Sequence, residues 1–139
     1  MKAITVRQPF ADAIIQPGDK PKRTENRGNA LPAQCIGVPV LLHAAKAEFR
    51  NAVLCRGRDW PDQRGVILGA IRFTGSHQAN TKGPLCCAPW GWPDAWHWDI
   101  ATDVVRLDQP VPAVGFLGFW TPDEVALTAV RRQIEVADA

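Results

Sequence analysis

A short polar segment near the start of the chain holds three residue types that could do chemistry together. Lys22, Glu25 and Arg27 stand at positions i, i+3 and i+5, and Gln8 ends an alternating apolar stretch shortly before them. A cation, a carboxylate and a guanidinium in one place cost solvation free energy unless they pair with one another or with a ligand. Such a group could hold a phosphate or the edge of a base, and it could activate a nucleophile.

Each of these four residues has a structural reading beside the functional one. The Gln8 amide both donates and accepts, so it could read a base edge or cap a helix. Lys22 could clamp an anion, could act as a base or nucleophile if it is desolvated, or could be an ordinary exposed lysine. Glu25 could be a general base or an acceptor for a base edge, and Arg27 offers a planar fork suited to phosphate. The alternative for both is a structural ion pair with each other.

Further ligand contacts are predicted outside this segment. His43 ends an apolar strand, where it could contact a ligand at a cleft or have a structural role. Trp96 and Trp98 belong to a group of four tryptophans, with Trp90 and Trp92, that could stack on single-stranded bases or pack as core and lid. Arg7 is among the basic residues expected to contact phosphate, which are Arg7, Lys20, Lys22, Arg23, Arg27 and Lys46.

Composition indicates one ordinary globular domain over residues 1–139. Apolar residues make up 46% of the chain and the formal net charge is +2, so no global field favours nucleic acid. No apolar run is long enough to span a membrane, and the polarity of the first residues is unlike a signal peptide. The expected location is therefore cytoplasmic, with no membrane partner. The sequence does not determine the oligomeric state.

The four cysteines, at positions 35, 55, 86 and 87, match no zinc motif of the CxxC type. In a reducing compartment, free thiols are the first interpretation, with no metal and no cofactor. A metal site formed by Cys86, Cys87 and His97 is the alternative. Ser76 and His77, at the end of the strongest apolar strand, are further candidates for transfer chemistry.

The remaining elements follow from apolar periodicity and from glycine and proline positions. We expect an α+β fold, a small curved sheet or barrel of five to six strands with short flanking helices. Pro9 should open a short helix that Pro17 and Gly18 end, and Gly69 should mark a bulge or bend. Thr121 to Glu124 should form a capping box at the start of a C-terminal helix over residues 121–137. Strands are predicted at 2–7, 37–44, 65–73 and 96–107, extended segments at 22–27, 110–112 and 115–120, a helix at 45–55 and a long lid-like loop at 77–95.

Several of these segments together resemble the ASCH domain, a family of the PUA-like superfamily. The resemblance rests on Val6-Arg7-Gln8-Pro9-Phe10, on Lys22-x-x-Glu25-Asn26-Arg27, on Val40-Leu41-Leu42-His43-Ala44 and on Gly65-Val66-Ile67-Leu68-Gly69. Trp96-His97-Trp98 and Pro110-Val111-Pro112-x-x-Gly115-x-x-Gly118-x-Trp120 resemble its bacterial and phage branch. The core motifs cover residues 3–121. The resemblance implies a PUA-like β-barrel with helices packed around it.

The same resemblance implies an RNA or nucleoside ligand in a cleft beside the Gln-Pro helix. Some ASCH domains bind RNA, one branch contains single-strand ribonucleases, and another contains amidohydrolases that deacetylate N4-acetylcytidine. In that last branch a lysine and a threonine of the corresponding segment act with a distal glutamate. Lys22 or Lys20 would be that lysine here, and Glu25 stands at the threonine's position. Thr24, one residue earlier, would point to the other side of a strand. Lys22, Glu25 and Thr24 are thus the catalytic candidates.

Overall fold

The computed structural model describes residues 1–80 and 86–138, and within them the chain forms an α+β fold. These residues form seven strands and two α-helices. Two short 3₁₀ turns lie at Ala33–Cys35 and Val53–Cys55. The elements are β1 (Ala3–Gln8), α1 (Phe10–Ile15), β2 (Thr24–Arg27), β3 (Pro39–Glu48), β4 (Val66–Gln78), β5 (Trp96–Ile100), β6 (Val105–Pro112), β7 (Phe119–Trp120) and α2 (Glu124–Asp138).

The strands form one mixed sheet that curls into a half-barrel. Its order is β2-β5-β4-β3-β1-β7, with β6 also paired to β4. β1 and β3 run parallel, and the other pairs are antiparallel. β4 is the longest strand: its first half pairs with β3 and β6, and its second half, beyond a register shift between Phe73 and Gly75, pairs with β5. That irregularity lets one strand serve both halves of the curled sheet.

Apolar side chains on the two faces of the sheet form two cores. Ile4 and Leu42 belong to the core that α1 covers, whereas Ala3 and Leu41, their chain neighbours, belong to the core that α2 covers. Successive strand residues point to opposite faces, so β1 and β3 are apolar on both sides. None of the helices within residues 1–80 and 86–138 combines the length and the apolar character needed to cross a bilayer.

Several predicted elements are confirmed. α1 begins directly after Pro9, although Pro9 is the capping residue rather than the first helical one, and the helix ends before Pro17. The segment predicted to be extended contains β2, which lies at one edge of the sheet. The register between β4 and β6 shifts between Ile67 and Gly69, so the predicted bulge is present.

The predicted helix over residues 45–55 is wrong. β3 continues to Glu48, and the Phe49 amide donates to the Gln8 carbonyl at 2.7 Å, so these residues extend the sheet alongside β1. The helical propensity of this alanine-containing segment is weaker than the backbone pairing that β1 offers. Helical structure in this segment is limited to the 3₁₀ turn at Val53–Cys55.

Three smaller expectations also need correction. The sheet has more than the five to six strands predicted, because the single strand expected over 96–107 is divided into β5 and β6 and the extended 110–112 segment completes β6. α2 begins at Glu124 with Asp123 as its cap: the Ala126 amide donates to Asp123 Oδ1 at 2.8 Å. Thr121 accepts a hydrogen bond from Lys2 instead of capping the helix.

Part of the predicted 77–95 loop, residues 81–85, lies outside the described residues.

Candidate functional site

A cavity of about 710 Å³ opens beside the ends of β1, β2 and β3. Its size is that of a pocket for a small organic ligand. The first residue of α1, the chain just after β3, and the segment 113–118 between β6 and β7 complete its walls. Its lining includes the side chains of Arg7, Phe10, Glu25, Asn26, Arg27, Lys46, Phe49, Trp92 and Phe116.

The charged segment predicted from sequence meets at this cavity. Glu25 Oε2 lies 3.3 Å from Lys22 Nζ, and Glu25 Oε1 lies 3.6 Å from Arg27 Nε. One carboxylate therefore pairs with two cations, one from each side. The Glu25 side chain is only 12% exposed, so solvent screens these contacts less than it would at an open surface.

Lys22 lies behind the cavity rather than in its wall. Its side chain is 2% exposed, and Nζ donates to the Thr24 carbonyl as well as to Glu25. The ammonium also lies 5.6 Å from the centre of the Phe10 ring. These contacts make Lys22 a support that holds Glu25 in place.

Of the two cations that pair with Glu25, Arg27 is the one that reaches the cavity. One terminal nitrogen donates to the Thr5 carbonyl at 3.1 Å, and the guanidinium lies 5.7 Å from the centre of the Trp98 ring. The side chain is 26% exposed, so it is held in place and still accessible. A guanidinium held this way can donate to a phosphate or to a base acceptor.

An aromatic wall stands in the same cavity, and Asn26 positions part of it. Phe49 lies 5.0 Å from Phe10 and 5.4 Å from Trp92, measured between ring centres. The Asn26 amide accepts from the Trp92 backbone N–H at 2.8 Å and donates to the Trp90 carbonyl at 2.9 Å. Trp92 is 40% exposed, which is high for a tryptophan fixed by its backbone. Its ring offers a stacking face.

His43 supports the opposite end of the cavity wall through a hydrogen-bonded chain. The Trp120 indole donates to the Thr5 hydroxyl at 3.0 Å, Thr5 Oγ1 lies 3.2 Å from His43 Nδ1, and His43 Nε2 lies 2.8 Å from the Ala113 carbonyl. Neutral His43 with its proton on Nε2 satisfies both contacts. Burial lowers the pKa of His43 below its usual range, against the opposing effect of the Ala113 carbonyl. His43 thus anchors the 113–118 segment.

That segment approaches His43 so closely that it needs a glycine. A Cβ on Gly115 would lie 2.7 Å from His43 Cε1 and from Thr5 Oγ1. The three large residues around it remain exposed: Val114, Phe116 and Leu117 are 67%, 63% and 100% accessible. The segment therefore presents an apolar rim to whatever enters the cavity.

The structure does not bring every predicted site residue to the cavity. Gln8 is fully buried: its oxygen accepts from the Asp12 amide at 2.9 Å and its nitrogen donates to the Gln63 carbonyl at 2.9 Å. Gln8 therefore binds the first turn of α1 and connects it to the loop that contains Gln63. Its side chain does not line the cavity. Thr24 is buried on the other side of β2, beside the Cys87 thiol. Among the residues predicted to bind ligand, Arg7, Arg27 and His43 line the cavity.

Trp96 and Trp98, which were predicted to contact the ligand, pack in or against the core instead. Trp98 is 7% exposed and stacks on Phe119 at 5.8 Å, and Trp96 packs at the margin of the core that α1 covers. Trp98 contributes to the site indirectly, through the Arg27 guanidinium above its ring. Phe10 packs against the core, as predicted from its place in the helix after Pro9, and it also lines the cavity. Sequence reasoning missed Phe49, Asn26 and the 113–118 rim. A glycine-rich apolar segment after a strand was the one local signal for that rim.

The site combines a flat aromatic face, a carboxylate acceptor and a positively charged margin. Arg7 and Lys46 are exposed cations at the cavity wall, so with Arg27 they outnumber Glu25, its one carboxylate. Such a lining suits a planar, polar-edged molecule that carries negative charge. No family model matches the chain, and no curated protein matches it in sequence.

Proposed function

We propose that this protein binds single-stranded RNA or a modified nucleoside, with one nucleobase inserted in the cavity. The observation that carries the proposal is that an aromatic face and the Glu25–Arg27 ion pair line one pocket of suitable size. The resemblance of the sequence to ASCH domains supports the same ligand class.

In this proposal the base stacks on Trp92 and its edge meets Glu25 and Arg27. Every base has a π-face, and stacking on an aromatic side chain is worth about 1–3 kcal/mol. Glu25 accepts from an amino or imino N–H of the base, and Arg27 donates to a carbonyl oxygen. Lys22 and Trp98 fix these two groups before the ligand arrives, which reduces the entropy lost on binding.

Phosphate contact is expected to be limited. Arg7, Arg27 and Lys46 are the cations at the cavity, so few counterions are released when RNA binds. Each neutralised phosphate of a single strand contributes about 0.7 to the slope of log affinity against log salt. We therefore expect modest affinity for a single-stranded oligonucleotide and a shallow salt dependence.

Titration of a fluorescent single-stranded RNA at several salt concentrations tests the phosphate contact. Arg27→Ala should weaken binding and reduce the salt slope by about 0.7. Arg132→Ala removes the same charge from an exposed position on α2 and should change neither. An unchanged slope in Arg27→Ala, with thermal unfolding showing a folded protein, would remove Arg27 from the interface.

A second pair of variants tests the stacking surface. Trp92→Ala should weaken binding of RNA or nucleoside by roughly 5- to 150-fold, which corresponds to about 1–3 kcal/mol. Trp92→Phe keeps an aromatic face and should retain most of the affinity. Equal affinity in wild type and Trp92→Ala would contradict insertion of a base at this wall.

The contact between Lys22 and Glu25 beside the cavity favours one further activity, hydrolysis of a nucleoside amide such as N4-acetylcytidine. Lys22 contacts Glu25, which lines the cavity, so a proton can pass between the lysine and a bound amide through this carboxylate. Lys22→Arg keeps the positive charge and removes the accessible neutral amine, so it should abolish turnover while sparing binding. Chromatography of N4-acetylcytidine after incubation measures turnover, and RNA cleavage products in parallel samples would indicate a ribonuclease instead. Wild-type rates in Lys22→Arg would exclude a catalytic role for Lys22.

A further inference from the structure

On the face of the sheet that carries Thr24, two histidines and two cysteines converge. His77 of β4 and His97 of β5 are directly opposite each other, and their rings lie 5.2 Å apart at their centres. Cys86 and Cys87 reach the same point from the chain that precedes β5. One ligand atom from each of the four residues lies within 4.8 Å of all the others. We propose that these four side chains bind a single Zn²⁺ ion.

The distances between these atoms agree with a tetrahedral centre. Cys86 Sγ lies 3.7 Å from His77 Nε2 and 3.5 Å from His97 Nδ1, and Cys87 Sγ lies 3.3 Å from His77 Nε2. In a tetrahedron with Zn–S near 2.3 Å and Zn–N near 2.05 Å, sulfur and nitrogen ligands stand about 3.5 Å apart. These three sulfur–nitrogen distances therefore already match those of a tetrahedral zinc site.

In each histidine, the ring nitrogen that faces away from the thiols (the outer nitrogen) has a hydrogen-bond partner, as in zinc-ligating histidines. His77 Nδ1 lies 3.2 Å from the Asp99 carboxylate, and His97 Nε2 lies 2.8 Å from the Trp92 carbonyl. Each contact places the proton on the outer nitrogen and leaves the inner nitrogen's lone pair directed at the two thiols. Such outer partners orient ligands and raise their basicity.

Local packing supports a specific site rather than a chance cluster. His97 is fully buried although it is a polar residue. A Cβ on Gly91 would lie 2.6 Å from His97 Cε1, so only a glycine lets the chain cross this ring. Two thiolates and two imidazoles are a donor set typical of zinc, and four protein ligands leave no open position for catalysis. The site is therefore structural.

The position of the site indicates what the ion stabilises. Cys86 and Cys87 begin the segment that ends at Trp92, whose carbonyl contacts His97 and whose amide contacts Asn26. Zinc would fasten this segment to β4 and β5 and so hold the aromatic wall of the cavity in place. The zinc inference itself does not rest on the proposed RNA binding.

The metal content and the cobalt spectrum of the tag-free, full-length protein test the inference. Protein expressed with zinc should contain about one zinc per chain by mass spectrometry. After removal of zinc with a chelator, titration with Co²⁺ should saturate at one equivalent and give the visible bands of tetrahedral cobalt with thiolate-to-metal charge transfer. Wild-type protein with substoichiometric zinc and no such cobalt bands would overturn the proposal.

Variants locate the ligands. Cys86→Ser, Cys87→Ser and His97→Gln should each lose the tetrahedral cobalt spectrum, whereas Cys35→Ser and Cys55→Ser should keep it. Because His97 is fully buried and its variant could fail to fold, Asp99→Asn provides a milder test. It leaves all four ligands in place and should weaken metal affinity by about 10- to 100-fold. Full zinc binding in both Cys86→Ser and Cys87→Ser would place the metal elsewhere.

Discussion

At the residue scale, the sharing of Glu25 between two cations determines what the cavity can bind. The carboxylate neutralises buried Lys22 from one side and orients Arg27 from the other. Removing one partner of a buried ion pair leaves the remaining charge without compensation in a poorly solvated place. Glu25 therefore couples the stability of the domain to the chemistry of the site.

Glu25→Gln should lower the free energy of unfolding by about 3–5 kcal/mol, because Lys22 loses its carboxylate partner. The double variant Glu25→Gln with Lys22→Met should recover part of that loss, since the buried ammonium that lost its partner is then removed as well. Urea unfolding monitored by tryptophan fluorescence measures both. Surface substitutions usually change the free energy of unfolding by about 0.5 kcal/mol or less. A change of that size in Glu25→Gln would show that the Lys22–Glu25 pair is not buried.

Gln8 shows how neighbours decide between two roles of one side chain. Gln8→Leu should leave the Asp12 amide and the Gln63 carbonyl unpaired and cost about 1–3 kcal/mol of stability. RNA affinity below the melting temperature should not change, because Gln8 does not line the cavity. Gln34→Leu, at an exposed position, is the matched control for stability. Loss of RNA affinity in folded Gln8→Leu would restore the base-reading role predicted from sequence.

His43 should make stability depend on pH in the mildly acidic range. Its pKa in the folded state is lowered by burial from an ordinary value of 6.5, so the unfolded chain binds a proton more readily. Its stabilising contribution is complete above pH 6.5 and is lost as pH falls towards the folded pKa, by at most about 1.4 kcal/mol per pH unit. His43→Gln should reduce this loss when urea midpoints at pH 7.5 and 5.5 are compared. His77 and His97 are unchanged in the variant, so any effect of pH on the histidine–cysteine cluster cancels in the comparison.

At the element scale, alternation along β2 and β5 separates two sites on one piece of sheet. Glu25 and Arg27 face the cavity side, whereas Thr24 lies beside Cys87 on the side of the histidine–cysteine cluster. Because the side-chain period of a strand is two residues, a shift of one position would exchange the two sites. The same two-residue period, read from the sequence, correctly predicts that Thr24 points away from Glu25.

The rest of the site depends on contacts that no local pattern contains. α1, the edge position of β2 and the Gly69 bulge follow from proline, charge and glycine at particular positions, and all three are predictable. The meeting of Phe10, Phe49 and Trp92 depends on chain segments tens of residues apart, so their sequence spacing carries no signal of it. β3 was predicted too short for the same reason, because its last residues are extended by pairing with β1.

Among the glycines of residues 1–80 and 86–138, Gly69 leaves the least space for a Cβ. A Cβ there would lie 2.0 Å from the Val105 carbonyl oxygen, so Gly69→Ala requires β4 and β6 to separate. Overpacking usually lowers the free energy of unfolding by about 1–3 kcal/mol, and we expect a loss of at least that size. Gly75→Ala in the same strand meets no atom within 4 Å and serves as the control. Thermal unfolding compares the two. Equal melting temperatures would show that β6 does not pack against β4 at Gly69.

At the scale of the whole molecule, the sheet separates two cores, and the cavity lies at its end. α1 covers one core and α2 covers the other, and β1 and β3 contribute side chains to both. The cavity opens where these two strands end, so its walls come from both halves of the curled sheet. Any distortion of the β1–β3 pair would therefore reach both cores and the cavity together.

The position of β1 between β3 and the edge strand β7 also affects how the chain can be made. Ala3 pairs with Leu41 on one side and with Trp120 on the other, so the second edge of β1 gains its partner only after residue 120 has been synthesised. At roughly 5–20 residues per second, that delay is on the order of ten seconds. During this time an apolar strand edge is open to pairing with other nascent chains. Crowded polysomes are thus the setting in which this fold is most exposed to aggregation.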